Sequence, residues 1–138
     1  MAQLNPYLNF NGNTREAMAF YQSVFGGELT MQTVGETPMP CPAGMENQIM
    51  HSMLVSGGVL LMGSDMQGPD GHKPGNTVTM SLNCSSEEEI TTLFNKLAEG
   101  GHIAEPLKEM FWGALFGALA DKYGVRWMFN FDKGIGNN

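Results

Sequence analysis

The stretch NTREAMAFYQSVFGG, Asn13 to Gly27, is a complete amphipathic helix whose plan returns later in the chain, and that return decides the fold. Asn13 can accept a hydrogen bond from a free first-turn amide, and Glu16, three residues on, can reach back to complete a capping box. Ala17, Phe20, Tyr21 and Val24 recur at spacings of three and four, which sets them on one stripe. Gly26 or Gly27 supplies the left-handed residue on which such a helix ends. A helix with one apolar stripe needs a sheet to cover it.

The second copy is SSEEEITTLFNKLAEGG, Ser85 to Gly101. Ser86 and Glu89 form its capping box, Ile90, Leu93, Phe94 and Leu97 its stripe, and Gly100 and Gly101 its stop. Phe20 and Phe94 lie 74 positions apart, as do Gly26 and Gly100. Each helix follows an apolar run (Leu4 to Phe10, Val78 to Cys84) and precedes another. A strand, helix, strand order that recurs at a fixed offset predicts a duplicated module, and two copies are too few for a solenoid.

Working outward, Leu4 to Phe10 reads as a strand with Pro6 at an edge or bulge, since proline cannot donate to a ladder. Glu28 to Val34 is a second strand. Gly35 to Asn47, GETPMPCPAGMEN, holds three prolines and two glycines and predicts an irregular, extended excursion of the kind that covers a site or meets a partner. Ile49 to Val55 and Val59 to Gly63 are apolar runs divided by Ser56, Gly57 and Gly58, which is a hairpin signal. After the second helix, His102 to Leu107 reads as a strand. In EMFWGALFGALA, Glu109 to Ala120, alanine and leucine favour helix while Gly113, Gly117 and the aromatics oppose it. Phe111 to Phe131 is read as a hairpin turning at DKYG, Asp121 to Gly124, because the first half also ends in one. The halves are expected at about residues 1–66 and 77–133, within one domain of 138 residues, joined by the polar connection 67–76.

Composition limits the partners. Seven Lys and Arg against fourteen Asp and Glu give a net charge of −7, and the basic residues form no cluster. Nucleic-acid binding rests on neutralising several phosphates, so no nucleic acid is expected, and no anionic membrane surface. No apolar run is long enough to span a bilayer and the amino terminus lacks the pattern of a secretion signal, so a cytoplasmic location is expected. Cys41 and Cys84 stand apart without a CxxC pair and are expected to be free thiols.

Few residues offer chemistry. His51, inside the apolar run MHSML, reads either as a half-buried histidine bonded to a carbonyl or as a pocket-facing base or ligand. His72 and His102 read as solvated and structural, and no HxH, HxxxH or HExxH spacing points to a metal. Asp65, in GSDM, would cap the turn that follows or point into a pocket. Trp112 and Trp127, on the two arms of the last hairpin, read as core or, with methionines around them, as the lining of a site for an apolar or planar ligand. GxGxxG, P-loop and GxSxG motifs are absent.

Three segments together, NPYLNFNGNTREAMAFYQSVFGGEL, the MHSML strand with GSDM, and FWG followed by DKYGVRWM, resemble the PhnB-like branch of the vicinal oxygen chelate superfamily. That superfamily includes glyoxalase I, bleomycin-resistance proteins and extradiol dioxygenases. The resemblance covers nearly the whole chain. It implies an α+β fold of two βαβββ modules, each a cupped half-barrel sheet, and a homodimer. In metal-using relatives four side chains, from the first and last strand of each module, hold a divalent cation. Matched strand by strand, those places fall at Asn5, at Leu61 or Met62, at Thr77 and at Met128. Such a cation needs imidazole or charged oxygen ligands at about 2.0–2.6 Å, which these residues do not supply. The resemblance therefore implies a metal-independent protein without a cofactor that binds a small apolar or aromatic molecule through Asn5, His51, Asp65, Trp112, Trp127 and Met128. The alternative is a lyase or isomerase with His51 as general base and Asp65 or Asn5 orienting the substrate, or with a shifted divalent metal site at His51 and Asp65. Some members of the branch carry the label of a demethylubiquinone methyltransferase, but no glycine-rich strand-to-helix turn is present here to hold the sulfonium cofactor.

Overall fold

A computed structural model describes residues 2–38 and 40–133. Its elements run β1 (Tyr7–Asn9), α1 (Thr14–Phe25), β2 (Glu28–Thr33), β3 (Ile49–Ser56), β4 (Val59–Ser64), β5 (Met80–Asn83), α2 (Glu87–Ala98), β6 (His102–Glu109), β7 (Ala114–Ala120) and β8 (Arg126–Asp132). The order βαβββ thus occurs twice in an α+β chain, and the chain divides into two compact units between Lys73 and Pro74. Each unit contains one open four-stranded sheet, β1-β4-β3-β2 in the first and β5-β8-β7-β6 in the second. In both, the first strand pairs in parallel with the last, and every other pairing is antiparallel.

The ambiguous stretch 109–120 is a strand: Ala114–Ala120 pairs along its whole length with β8. Glycine is tolerated there because Gly117 lies where α2 presses on the sheet, so that a Cβ at this position would stand 2.7 Å from the Phe94 ring. The first strand is shorter than expected. Pro6 has no amide to give, and only its carbonyl joins the sheet, accepting from the Met62 amide at 3.3 Å. The region after β2 is also less irregular than its prolines predict, since Val34–Glu36 forms a 3-10 turn.

The helix stripes hold with one exchange in α1 and with Leu93 only half-buried in α2. In α1 the buried side chains are Thr14, Ala17, Met18, Tyr21 and Val24, so Met18 takes the place expected of Phe20. In α2 they are Ile90, Phe94 and Leu97. The capping differs between the helices. In α2, Ser86 Oγ accepts from the Glu89 amide at 3.0 Å, and the Glu89 carboxylate accepts from the Ser85 amide at 2.8 Å, a capping box displaced by one residue. In α1, Asn13 makes no side-chain cap bond, and its Oδ1 accepts from the Asn11 amide instead. The first-turn amide of Thr14 donates to Asp65, 51 positions away.

The glycine pairs that end both helices have a steric reason. A Cβ on Gly27 would overlap the Val55 carbonyl and lie 2.9 Å from Ser56 Cα, at the end of β3. A Cβ on Gly101 would overlap the Ala120 carbonyl and lie 2.9 Å from Asp121 Cα, at the end of β7. In each module, the chain leaving the helix passes against the backbone of the neighbouring antiparallel strand, and only glycine allows that approach.

Candidate functional site

From His51 onward, past a bulge at Met50, the side chains of β3 alternate between two faces. Ser52 and Leu54 are fully buried on the side covered by α1, where Gly63 of β4 packs against Met18 and Phe10. His51 and Met53 turn to the opposite face. The register places Met53 beside Met62 on β4, and Met62 beside Tyr7 on β1. On this face Tyr7 Oη lies 3.0 Å from His51 Nδ1, with ring centroids 5.7 Å apart. An imidazole paired in this way either accepts the phenol proton at Nδ1 and keeps its own on Nε2, or donates from Nδ1 and leaves Nε2 as a free base. The direction of the Tyr7 hydrogen bond and the tautomer of His51 are therefore coupled. Sequence reasoning missed Tyr7, because the parallel pairing of β1 with β4 that brings it beside β3 leaves no local signal.

Asp65 is only 5% exposed, and its carboxylate holds the module together. Oδ1 accepts from the Thr14 amide at 3.0 Å and the Thr14 hydroxyl at 2.6 Å, while Oδ2 accepts from the Ile49 amide at 2.8 Å. The turn after β4 is capped by Ser64, whose Oγ accepts from the Met66 amide at 2.9 Å. Asn5 is half-buried in the irregular chain before β1.

In the second module Trp127 is 2% exposed and faces α2, its indole N–H donating to Asp121 Oδ2 at 2.8 Å. Asp121 also accepts from the Tyr123 and Val125 amides, closing the turn between β7 and β8. Met128 is half-buried on the other face of β8, in register with Ser81 and Ala118. Trp112, 50% exposed, lies between Phe111 and Phe116 with edge-to-face rings at 4.9 and 6.4 Å. The structure thus brings His51 together with Tyr7 and Met62, and sets Asp65 and Trp127 within hydrogen-bonded frameworks.

Of the two β4 places named by the resemblance, Leu61 is buried under α1, and Met62 takes the face shared with Tyr7. The places matched to metal ligands therefore carry the side chains of Asn5, Met62, Thr77 and Met128. Two are thioethers, soft donors that suit copper(I) rather than zinc, nickel, manganese or iron(II). Among the described residues no group of three or more His, Cys, Asp or Glu side chains is placed to hold a metal ion. This donor set does not fit a divalent-cation chelate.

Both cysteines are free. Cys84 is buried at the end of β5, and burial, with the Glu89 carboxylate adding to it, pushes its thiol up to about 11 from 9.0. The folded state holds this proton more tightly than the unfolded chain, so the sign is a loss of stability with rising pH. Stability should be unaffected by this group below about pH 9 and fall between there and about pH 11, on the order of 1–3 kcal/mol in all. Urea unfolding of wild type and Cys84→Ala across pH 8 to 11 checks it: the alkaline decline should be shallower in the variant. At pH 8, a thiol reagent should label Cys41, which is half-exposed, well before Cys84.

The comparisons with known proteins agree with this architecture. The model of the Glyoxalase/Bleomycin resistance protein/Dioxygenase superfamily matches residues 3–129. Protein YjdN of Escherichia coli (strain K12) is 36% identical over 138 residues, covering 92% of this chain and 93% of its own. The crystal structure of protein PA1353 from Pseudomonas aeruginosa is 42% identical with a TM-score of 0.86, covering 96% of this chain and 98% of that one. A structure from Bacillus cereus, titled as a putative 3-demethylubiquinone-9 3-methyltransferase and PhnB protein, is 30% identical with a TM-score of 0.74, over 94% and 99% of the two chains. With its twice-occurring βαβββ order and its first-to-last parallel pairing, the chain belongs to the glyoxalase/bleomycin resistance/dioxygenase superfamily, in its PhnB-like branch.

Proposed function

We propose that this protein binds a small apolar or aromatic molecule without a metal, using the sheet faces turned away from the helices. One observation carries the reading: Met62, at a β4 place that the resemblance matches to a metal ligand, lies beside a hydrogen-bonded Tyr7–His51 pair. Thioether and ring surfaces there favour dispersion and sulfur–aromatic contact over ion binding. Met128 and Asn5 replace further chelating positions with neutral groups, and Trp112 adds exposed aromatic surface. The protein is proposed to work as a cytoplasmic homodimer, with no nucleic-acid or membrane partner. Among the described residues no helix is long and apolar enough to cross a membrane.

Calorimetric titration of zinc, nickel, manganese and iron(II) into chelator-treated protein is the test. No stoichiometric binding in the micromolar range is expected. Such binding, lost on His51→Ala, would overturn the reading.

A second reading, a lyase or isomerase with His51 as general base, is favoured by the Tyr7 contact, which can leave Nε2 free to take a proton. Asp65 is not the orienting group in it, since both its oxygens serve Thr14 and Ile49. Should a turnover be found, His51→Ala should lower kcat by roughly 100-fold or more, and full retention would end this reading. The methyltransferase activity named for the Bacillus cereus protein is not carried over, because the turn between β1 and α1 lacks a glycine-rich cofactor cradle.

A further inference from the structure

The segment between β2 and β3 is folded back by its own backbone. The Thr33 amide and hydroxyl both donate to Glu36 Oε1 at 2.8 Å, which fixes the 3-10 turn and holds the Glu36 carboxyl below its usual range. The Val34 amide donates to the Gln48 carbonyl at 2.9 Å and the Gly35 amide to the Glu46 carbonyl at 3.0 Å. With the start of α1 and the chain after β4, this segment lines an open pocket of about 580 Å³ within the first module. That volume is in the range of small-molecule sites. The residues that line the cavity include Met50, at the irregularity of β3 between Ile49 and His51, but neither Tyr7 nor His51.

The walls are apolar and adaptable, from Val34, Pro40, Pro42, Met45, Met50 and Met66. The polar groups are almost all neutral amides, and among the described residues no Lys, Arg or His lines the space, so an anion finds no counter-charge there. A cation finds one carboxylate, Asp65, already accepting three hydrogen bonds. The Asn11 side-chain oxygen accepts from Gln67 Nε2 at 2.7 Å, so these two amides partner each other. Gln48 differs: among the described residues its side-chain amide has no hydrogen-bond partner, and Gly12 leaves room beside it, its absent Cβ falling 3.9 Å from Gln48 Nε2.

A primary amide offers one acceptor and donors side by side, which a lactam edge, N–H next to C=O, satisfies with two parallel hydrogen bonds. Methionine sulfurs favour the edge and face of an aromatic ring. We propose that this cavity binds an uncharged planar heterocycle carrying a lactam edge, which pairs with the Gln48 amide while its rings lie among Met45, Met50 and Met66. The proposal uses residues distinct from those of the function proposed above and stands or falls separately.

The test is a titration of the full chain with 2-quinolinone and with N-methyl-2-quinolinone, followed by NMR of side-chain amides and methionine methyls. Saturable shifts are expected at the Gln48 amide and the methyls of Met45, Met50 and Met66. The N-methyl compound, which lacks the donor, should bind about tenfold more weakly or worse. Gln48→Leu should weaken 2-quinolinone by a similar factor or more and the N-methyl compound, which keeps only its carbonyl acceptor, by less, while His51→Ala should alter neither. Absence of saturable shifts at these residues, equal binding of the two compounds, or full 2-quinolinone affinity in a folded Gln48→Leu protein would each overturn it. If Gln48→Leu fails to fold, the comparison of the two compounds on wild-type protein still decides.

Discussion

Gly27→Ala should be among the most destabilising single substitutions in this chain, costing more than about 4 kcal/mol or preventing recovery of folded protein. Two effects add. Gly27 has φ +89°, a conformation in which an L side chain is strained, and the new methyl would be driven into the Val55 carbonyl and Ser56. Neither neighbour is a flexible tip that can swing aside; both belong to the backbone end of β3. Gly101→Ala tests the steric part by itself, since its obstruction by Ala120 and Asp121 carries no left-handed φ, and a loss of at least about 3 kcal/mol is expected. Gly58→Ala, with nothing within 4 Å of the added atom, should stay within about 0.5 kcal/mol of wild type. Urea unfolding of the three variants gives the ranking. A Gly27→Ala protein within 1 kcal/mol of wild type would show that the strand and the helix exit are not in the contact described.

Asp65→Ala should cost about 3–5 kcal/mol, and lower the melting temperature by roughly 10 °C. The carboxylate is buried and accepts from two backbone amides and a hydroxyl, bonds made stronger by its charge. Removing it strands the Thr14 and Ile49 amides inside the fold, where each lost partner carries a desolvation penalty. Asp65→Asn keeps one oxygen but turns an NH2 toward a donor, so it should fall between, at about 2–3 kcal/mol. Denaturation at neutral pH reads the series, and an Asp65→Ala loss under about 1 kcal/mol would remove this residue from its structural role. The pair of variants also separates framework from ligand binding, because a framework residue alters stability before affinity.

Much of this architecture was readable because it is local or repeated. The helix stripes, the terminating glycine pairs and the hairpin over Ser56–Gly58 are written in residues three to five positions apart, and the duplication gave each a second witness. Short-range patterns failed where distant groups act. Asn13 and Glu16 look like a capping box, yet Asp65 reaches Thr14 from the far end of the module, and nothing near Asn13 announces it. Trp127 has the spacing of a residue that could face either way, and its burial under α2 follows from the register of β8 against β7. Tyr7 was invisible for the same reason, since it stands 44 positions from His51 and reaches it only through the parallel pairing of β1 with β4. The cavity beneath the proline-bearing segment follows from two backbone bonds, Val34 to Gln48 and Gly35 to Glu46, that composition cannot reveal.

The pairing of first strand with last has a bearing on how each module is made. Among the described residues, Tyr7–Asn9 finds its sheet partner only in Met62–Ser64, and Met80–Asn83 only in Trp127–Asn130. During synthesis the amino-terminal strand therefore emerges long before anything exists for it to dock on, and it must wait while α1, β2 and β3 collect. Closure comes late, after a long loop: a chain that has emerged only as far as Gly58 holds three of the four strands and an exposed edge on β3. That edge is where a nascent chain of this kind is most open to mispairing or to capture by a chaperone.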